Sequence, residues 1–235
     1  MRAEEVLKIL RSLGSKKARE GMEKFGITSG HSLGISTPVL KSFARKLGRD
    51  HRLAAELWAC GIFEARVIAA LVDEPDKVSQ RQMDRWVGAF NSWAICDGCC
   101  CYLFRRTPLA WNKAVEWSKH PKEHVKRAGF SLMAYLAVHD KEADDLQFQK
   151  MLPIIEREAG DERLYVRKAV NWALRQIGKR NQRLNRLAIQ SAKRIRAQDS
   201  SSARWIASDT LRELEGAPVQ QRLENKGAKS RSMKK

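Results

Sequence analysis

The strongest constraint on the fold is a helical pattern that returns along the chain. "HVKRAGFSLM" begins at residue 124, and "YVRKAVNWAL" repeats its pattern from residue 165, an offset of 41. "SARWIASDTL" follows at residue 202, and "EARVIAALV" at residue 64 has the same character. Helical units with such a period cannot each bury an apolar face alone, so they imply stacked pairs, a HEAT-like or armadillo-like solenoid. An irregular helical bundle with accidental similarity is the other architecture these residues allow.

The rest of the chain agrees with an all-α class. The spacing of apolar residues predicts helices near 3–13, 15–25, 38–48, 51–60, 63–73, 80–90, 92–105, 108–118, 122–138, 142–158, 162–179, 182–197 and 202–214. Alternating runs are scarce and no Asn-Gly hairpin occurs. Thr37–Pro38 and Thr107–Pro108 each read as a capping hydroxyl before a first-turn proline. Residues 1–215 read as a single domain. From 216 the chain turns polar and basic, ends "KGAKSRSMKK", and is expected to be a disordered tail.

The charge points to the partner. Lys and Arg number 45 against 27 acids, a formal net charge of +18. Such an excess fits a polyanion, most often nucleic acid. No run is long enough to cross a bilayer, and the start, MRAEEVLKIL, lacks the apolar core of a secretory signal. The five cysteines are odd in number and four crowd into residues 96–101, unlike an extracellular disulfide framework. These features imply an intracellular, cytoplasmic protein, associated with the nucleoid when on DNA.

Helical faces single out candidate residues. Between Arg163 and Arg204 there are twelve Lys or Arg and one acid, Asp199. In the helix near 162–179, Val166, Ala169, Val170, Ala173, Leu174 and Ile177 make the core stripe. Lys168, Trp172, Arg175 and Lys179 make a second stripe away from it. An aromatic ring inside a basic stripe suits phosphates with a sugar or base, although Trp172 would equally suit a contact to a neighbouring helix. Arg127 takes the position in its helix that Lys168 takes in the next repeat, which would place both on one concave basic face. Arg127, Arg167, Lys168, Arg175, Lys179 and Arg204 are the candidate DNA contacts.

The segment "NSWAICDGCCCYLF" (91–104) holds a single charge, Asp97. Its helix is apolar on nearly all sides, so burial is expected, and Trp93, Asp97, Cys100 and Phe104 share a face. A carboxylate in such surroundings needs a partner or a task. A structural zinc would need four converging ligands, and no second Cys or His pair supplies them. No metal is therefore expected. Nor does the chain contain a Gly-rich phosphate loop or a nucleophile elbow.

"SLGISTPVLK" (32–41), "SWAICD" (92–97), "VKRA" (125–128) and "RKAVNWALRQIGK" (167–179) together resemble the HEAT-like alkylpurine DNA glycosylases, the AlkD family. The similarity runs in order over most of residues 20–214. It implies an α-solenoid whose concave face holds duplex DNA carrying alkylated purines. It also implies hydrolysis of the N-glycosidic bond of purines cationic at N3 or N7, without metal, cofactor or the usual base flipping. On this resemblance the functional aspartate falls on Asp97, the sugar-contacting tryptophans on Trp93 and Trp172, and the DNA-contacting arginine on Arg127. A monomeric, monofunctional glycosylase of base excision repair is the expectation.

The chain also departs from the family pattern. Members often carry a tryptophan pair and a second acid where this chain has Ser92-Trp93-Ala94, and "CDGCCC" is unlike them. A non-catalytic HEAT-like module could bind DNA or RNA through the same basic face. A scaffold for an acidic protein partner would leave the Trp93–Asp97 face without a purpose.

Overall fold

The computed structural model describes residues 1–24, 26, 27 and 32–232, with side chains for all of these except 227 and 229–232. Phe25, His31 and residues 233–235 of the basic tail lie outside the described residues. Within them the chain forms α1 (Ala3–Ser12), α2 (Lys16–Lys24), α3 (Thr37–Leu47), α4 (His51–Ala59), α5 (Phe63–Val72), α6 (Gln80–Gly88) and α7 (Trp93–Tyr102). It continues with α8 (Ala110–Trp117), α9 (Glu123–His139), α10 (Asp145–Glu158), α11 (Leu164–Gly178), α12 (Gln182–Arg196), α13 (Ser201–Leu214) and α14 (Ala217–Ser232). Two 3-10 turns, Pro75–Lys77 and Phe104–Arg106, complete an all-α fold with no strand among the described residues. No described helix is long and apolar enough to cross a membrane.

Short polar side chains start many of these helices. Asp50, Ser79, Ser92, Asp144, Asn181 and Ser200 each accept a bond from a first-turn backbone N–H that would otherwise lack a partner. The two threonines singled out from the sequence do not act this way. Ser36, not Thr37, flanks α3, and Pro38 sits in its first turn. The Thr107 hydroxyl is buried and donates to the Phe104 carbonyl at 2.8 Å, closing the 3-10 turn before α8 begins.

The residues gather into two compact units, 1–110 and 111–235, where the sequence suggested one domain. Each unit packs alternate helices against one another. In the first, α5 lies between α3 and α7, while Trp58 of α4 stacks on Trp86 of α6 with ring centroids 4.0 Å apart. In the second, α11 lies between α9 and α13, and α12 between α10 and α14. This two-layer order is how repeated helix pairs bury a continuous core. Close approach depends on small residues. A side chain at Gly129 of α9 would meet Ala114 O of α8 at 2.9 Å and, just past the end of α8, Ser118 N at 2.5 Å.

The expected disordered tail is instead helical over Ala217–Ser232. Val219 and Leu223, four apart, are buried, and α14 packs on α12 and α13. Two apolar side chains on one face gave this segment a place to dock.

The "SLGIS" turn before α3 is organised by one carboxylate. Glu64 of α5 is fully buried and accepts from Ser32 Oγ at 2.9 Å. It also accepts from the backbone N–H groups of Leu33 at 2.8 Å, Gly34 at 2.8 Å and Ile35 at 3.2 Å. Gly34 has φ +76°, and a Cβ there would crowd the Ser15 carbonyl and stand 2.7 Å from Arg19 N. The turn thus requires glycine at this position. Glu64→Ala should lower stability in urea denaturation by about 3 kcal/mol or more, because three buried donors lose their acceptor. Glu64→Gln should lose less. Equal, small losses in both would contradict this role.

A second charged cluster ties α9 to the α10–α11 turn. Lys126 Nζ lies 2.7 Å from Glu158 and 3.2 Å from Asp161, and Arg163 Nη2 lies 2.6 Å from Asp161. Burial pushes the Asp161 carboxyl up, but hydrogen bonds from Arg163 and Lys126 outweigh it and bring its pKa down to about 2. A depressed folded-state pKa stabilises the protein above the ordinary value, and that contribution fades as pH falls towards about 2. Asp161→Asn should therefore flatten the loss of thermal stability between pH 4 and pH 2 relative to wild type. Parallel melting curves across that range would contradict the assignment.

Candidate active site

Helix α7 carries the first group of candidates. Ser92 caps it, its Oγ accepting from Ile95 N at 3.4 Å. The serine that departs from the expected tryptophan pair therefore has a task of its own, fixing the start of this helix. Ile95, Cys96, Cys99 and Cys100 form the buried side. The sequence suggested burial all round, and the structure corrects this. Trp93, Ala94, Asp97, Gly98, Cys101 and Tyr102 make a half-open side. Asp97, the one charge on α7, sits in the middle of it. Its neighbours Ala94, Gly98 and Cys101 are small, so a ligand could approach the carboxylate closely. The expected stripe through Cys100 and Phe104 closes over at both residues, which are fully buried.

Two of the cysteines near Asp97, Cys99 and Cys100, are chemically quiet. Burial pushes the Cys99 and Cys100 thiols well above their ordinary range. At Cys100 the hydrogen bond with Cys96 and the nearby Cys96, Asp97 and Cys99 add to the rise. Neutral buried thiols are poor nucleophiles and poor metal ligands. Among the described residues no three His, Cys, Asp or Glu side chains gather to hold a metal ion. At the end of α7, Lys41 Nζ lies over the Tyr102 ring, 4.8 Å from its centroid.

The other candidates belong to the second unit. Arg127 of α9 is not the solvated cation its helical position suggested. It is 6% exposed, and its Nη1 donates to the Tyr165 carbonyl at 2.8 Å, linking α9 to the first turn of α11. Trp172 of α11 is half-buried and meets Tyr135 of α9 edge to face, with centroids 4.8 Å apart. With the Gln176 amide oxygen turned towards the donors, Trp172 Nε1 reaches it at 3.0 Å and Lys179 Nζ at 3.2 Å. Trp172 thus makes the helix contact that one reading allowed, while part of it stays open.

The basic stripe of α11 is divided by acids from the next repeat. Arg175 lies 3.0 Å from Asp209 and pairs closely with Glu213, and Lys179 lies 2.7 Å from Glu213. Charge on both is therefore partly spent within the protein, contrary to their expected role as open phosphate contacts. Lys168 remains exposed. Arg204 is exposed and 3.3 Å from Asp199, a solvated pair of little strength. The Arg167 guanidinium lies over Trp205 at 4.9 Å, and its Nε is buried without a hydrogen-bond partner.

Sequence reasoning missed Trp205, which is 39% exposed beside these cations. It also missed Asp209 and Glu213, although the repeat at 202 puts them four apart on the helix packed against α11. That spacing was the available signal.

Comparison with known proteins follows the same outline. Residues 6–213 match the family described as DNA alkylation repair enzyme. A search of curated proteins gives no match. One solved structure, described as "A new family of proteins related to the HEAT-like repeat DNA glycosylases with affinity for branched DNA structures", superposes with a TM-score of 0.76 at 19% identity. The similarity covers 91% of this chain and 95% of that one. At that identity the likeness fixes the fold, a HEAT-like arrangement of helical repeats, while the family match spans nearly the whole chain. The chain belongs to the DNA alkylation repair enzyme family.

Proposed function

We propose that this protein is a monofunctional DNA glycosylase that removes purines made cationic by alkylation at N3 or N7 from duplex DNA. The observation that carries the proposal is Asp97, the one acidic residue of α7, at the centre of its half-open side and flanked by small residues and Trp93. A cationic purine is already a good leaving group. The electron pair of the breaking C1′–N9 bond passes to the base, which departs neutral without needing a proton. Positive charge then develops on the sugar, where the Asp97 carboxylate and the electron-rich face of Trp93 stabilise it. Asp97 also orients a water, whose oxygen bonds to C1′ while its proton goes to the carboxylate or solvent. The products are a free base and an abasic site. Since no amine attacks C1′, the strand stays intact.

Arg127 acts here as a positioning residue, holding α9 against α11. Lys168, Arg167 and Arg204 meet phosphates, and Trp205 offers a ring to a sugar or base. Action as a monomer in the cytoplasm is part of the same proposal.

A second reading is a DNA-binding module that excises nothing. It is favoured by the description of the structural relative, which names affinity for branched DNA, and by the burial of Arg127.

Release of methylated purines from alkylated duplex DNA separates the two. Asp97→Asn should reduce release by about 100-fold or more, the scale for losing one oriented electrostatic group. Its DNA affinity should stay within about threefold of wild type. Absence of release by wild type, with DNA bound equally by both forms, would establish the second reading. Lys168→Ala with Arg204→Ala should weaken duplex binding and lower the slope of log K against log salt by about 2. Arg175→Ala should instead lower the melting temperature. Equal effects on the slope from both changes would contradict the division of the α11 stripe.

A further inference from the structure

A cleft of about 390 Å³ opens in the second unit, where the end of α9, the α11–α12 turn and α14 meet. Lys141, Lys179, Arg180, Arg222 and Lys226 line it, against one carboxylate, Asp145. Two of the cations have duties inside the fold. Arg180 lies over Phe148 at 4.4 Å and donates to the carbonyls of Asp140 at 2.6 Å and Ala143 at 2.8 Å, fixing the exit from α9. Lys179 is held by Glu213 at 2.7 Å. Asp145 accepts two bonds from Asn181, at 2.8 and 2.9 Å, and stands 3.9 Å from Arg180.

That leaves Lys141, Arg222 and Lys226 facing one another. Lys141 Nζ donates to the Val138 carbonyl, and Arg222 Nη2 donates to the Lys179 carbonyl at 3.0 Å. The Lys226 ammonium is destabilised first by burial and then by the charges of Arg222, Lys141 and Arg180, so its pKa falls. Like charges gathered in a half-enclosed space repel, and a bound anion would offset that repulsion. A guanidinium beside two ammonium groups suits phosphate oxygens, which accept several charged donors at once.

The cleft adjoins the candidate residues of α11, since Lys179 and Gln176 line it and the Gln176 amide oxygen is the acceptor for Trp172 Nε1. Its other cations, Lys141, Arg180, Arg222 and Lys226, are not among the candidate site residues. Two of its cations lie on α14, beyond residue 213 where the family match ends.

We propose that this cleft is a second phosphate-binding site, which takes phosphodiester groups of a DNA strand running past α14. It would grip phosphates beside α14, such as those of the second arm of a branched substrate. The proposal rests on DNA being the partner and not on the chemistry assigned to Asp97.

The test uses the full chain with Arg222→Gln/Lys226→Gln, and Arg222→Lys/Lys226→Arg as the charge-conserving control. Affinity for a four-way junction and for a linear duplex is measured over a range of KCl. The glutamine variant should bind the junction at least about tenfold more weakly, with the salt slope reduced by about 2, while the control stays near wild type. Its melting temperature and its release of alkylated bases from linear duplex should be unchanged. An unaltered junction affinity and slope would overturn the proposal. Titration with inorganic phosphate, read by 31P NMR, supplies the other arm. Phosphate binding lost in the glutamine variant, with DNA binding intact, would make this a site for free phosphate and likewise overturn it. Asp97→Asn is run alongside. Junction binding that depends on Arg222 and Lys226 would uphold the cleft even if wild type released no base.

Discussion

Everything in this fold depends on alternate helices coming close enough to stack. In the second unit α11 packs between α9 and α13, and Gly129 of α9 lets that helix close on Ala114 and Ser118. Small residues at the contact bring the backbones together and leave longer side chains of each helix to project along one face. Matching positions in successive repeats then fall in register. Arg127 and Lys168 are such a pair, yet they end in different surroundings. The first is buried against Tyr165, and the second is exposed. Repetition sets where a side chain starts, and the neighbouring helix decides what it meets.

Charge on this face is managed by the same neighbours. Helical spacing put Lys168, Arg175 and Lys179 in one basic stripe, but α13 places Asp209 and Glu213 beside Arg175 and Lys179. Cations held in such pairs contribute to the α11–α13 contact and keep less of their charge for phosphates. Other basic side chains stand outside these pairs, at Lys168 on α11 and at Arg222 and Lys226 on α14. A polyanion would therefore meet separate grips and not one continuous stripe. Helix α7 makes a contrasting arrangement, with one negative charge on a half-open side and neutral thiols behind it. Under the proposed function such a carboxylate would repel phosphates and attract a sugar becoming positive.

Helical periodicity made most of the architecture legible. All thirteen expected helices are present with ends shifted by a few residues, because apolar spacing over ten or more residues is a strong signal. Caps were read less well. Thr107 precedes a proline as a cap would, but burial turned its hydroxyl to the Phe104 carbonyl. Helix α14 escaped notice because only Val219 and Leu223 mark its apolar face within a basic, polar segment. At the candidate site, spacing alone put Trp93 and Asp97 on one face and Trp172 in a basic stripe. It could not show that Arg127 is buried, or that acids from α13 face α11, since both follow from packing between repeats. The "SLGIS" motif gave no sign of its cause, a buried Glu64 some thirty residues away in sequence whose carboxylate gathers three backbone amides.

The central claim is that a base already carrying positive charge is released by stabilising the sugar cation, with no protonation of the leaving group. The most direct measurement compares two duplexes under single-turnover conditions, one with a single 7-methylguanine and one with a neutral hypoxanthine at the same position. Free base and intact abasic strand are followed together. The account predicts release of 7-methylguanine well above the uncatalysed rate, with hypoxanthine retained and no strand break. Equal release of both bases, or release of neither above background, would contradict it.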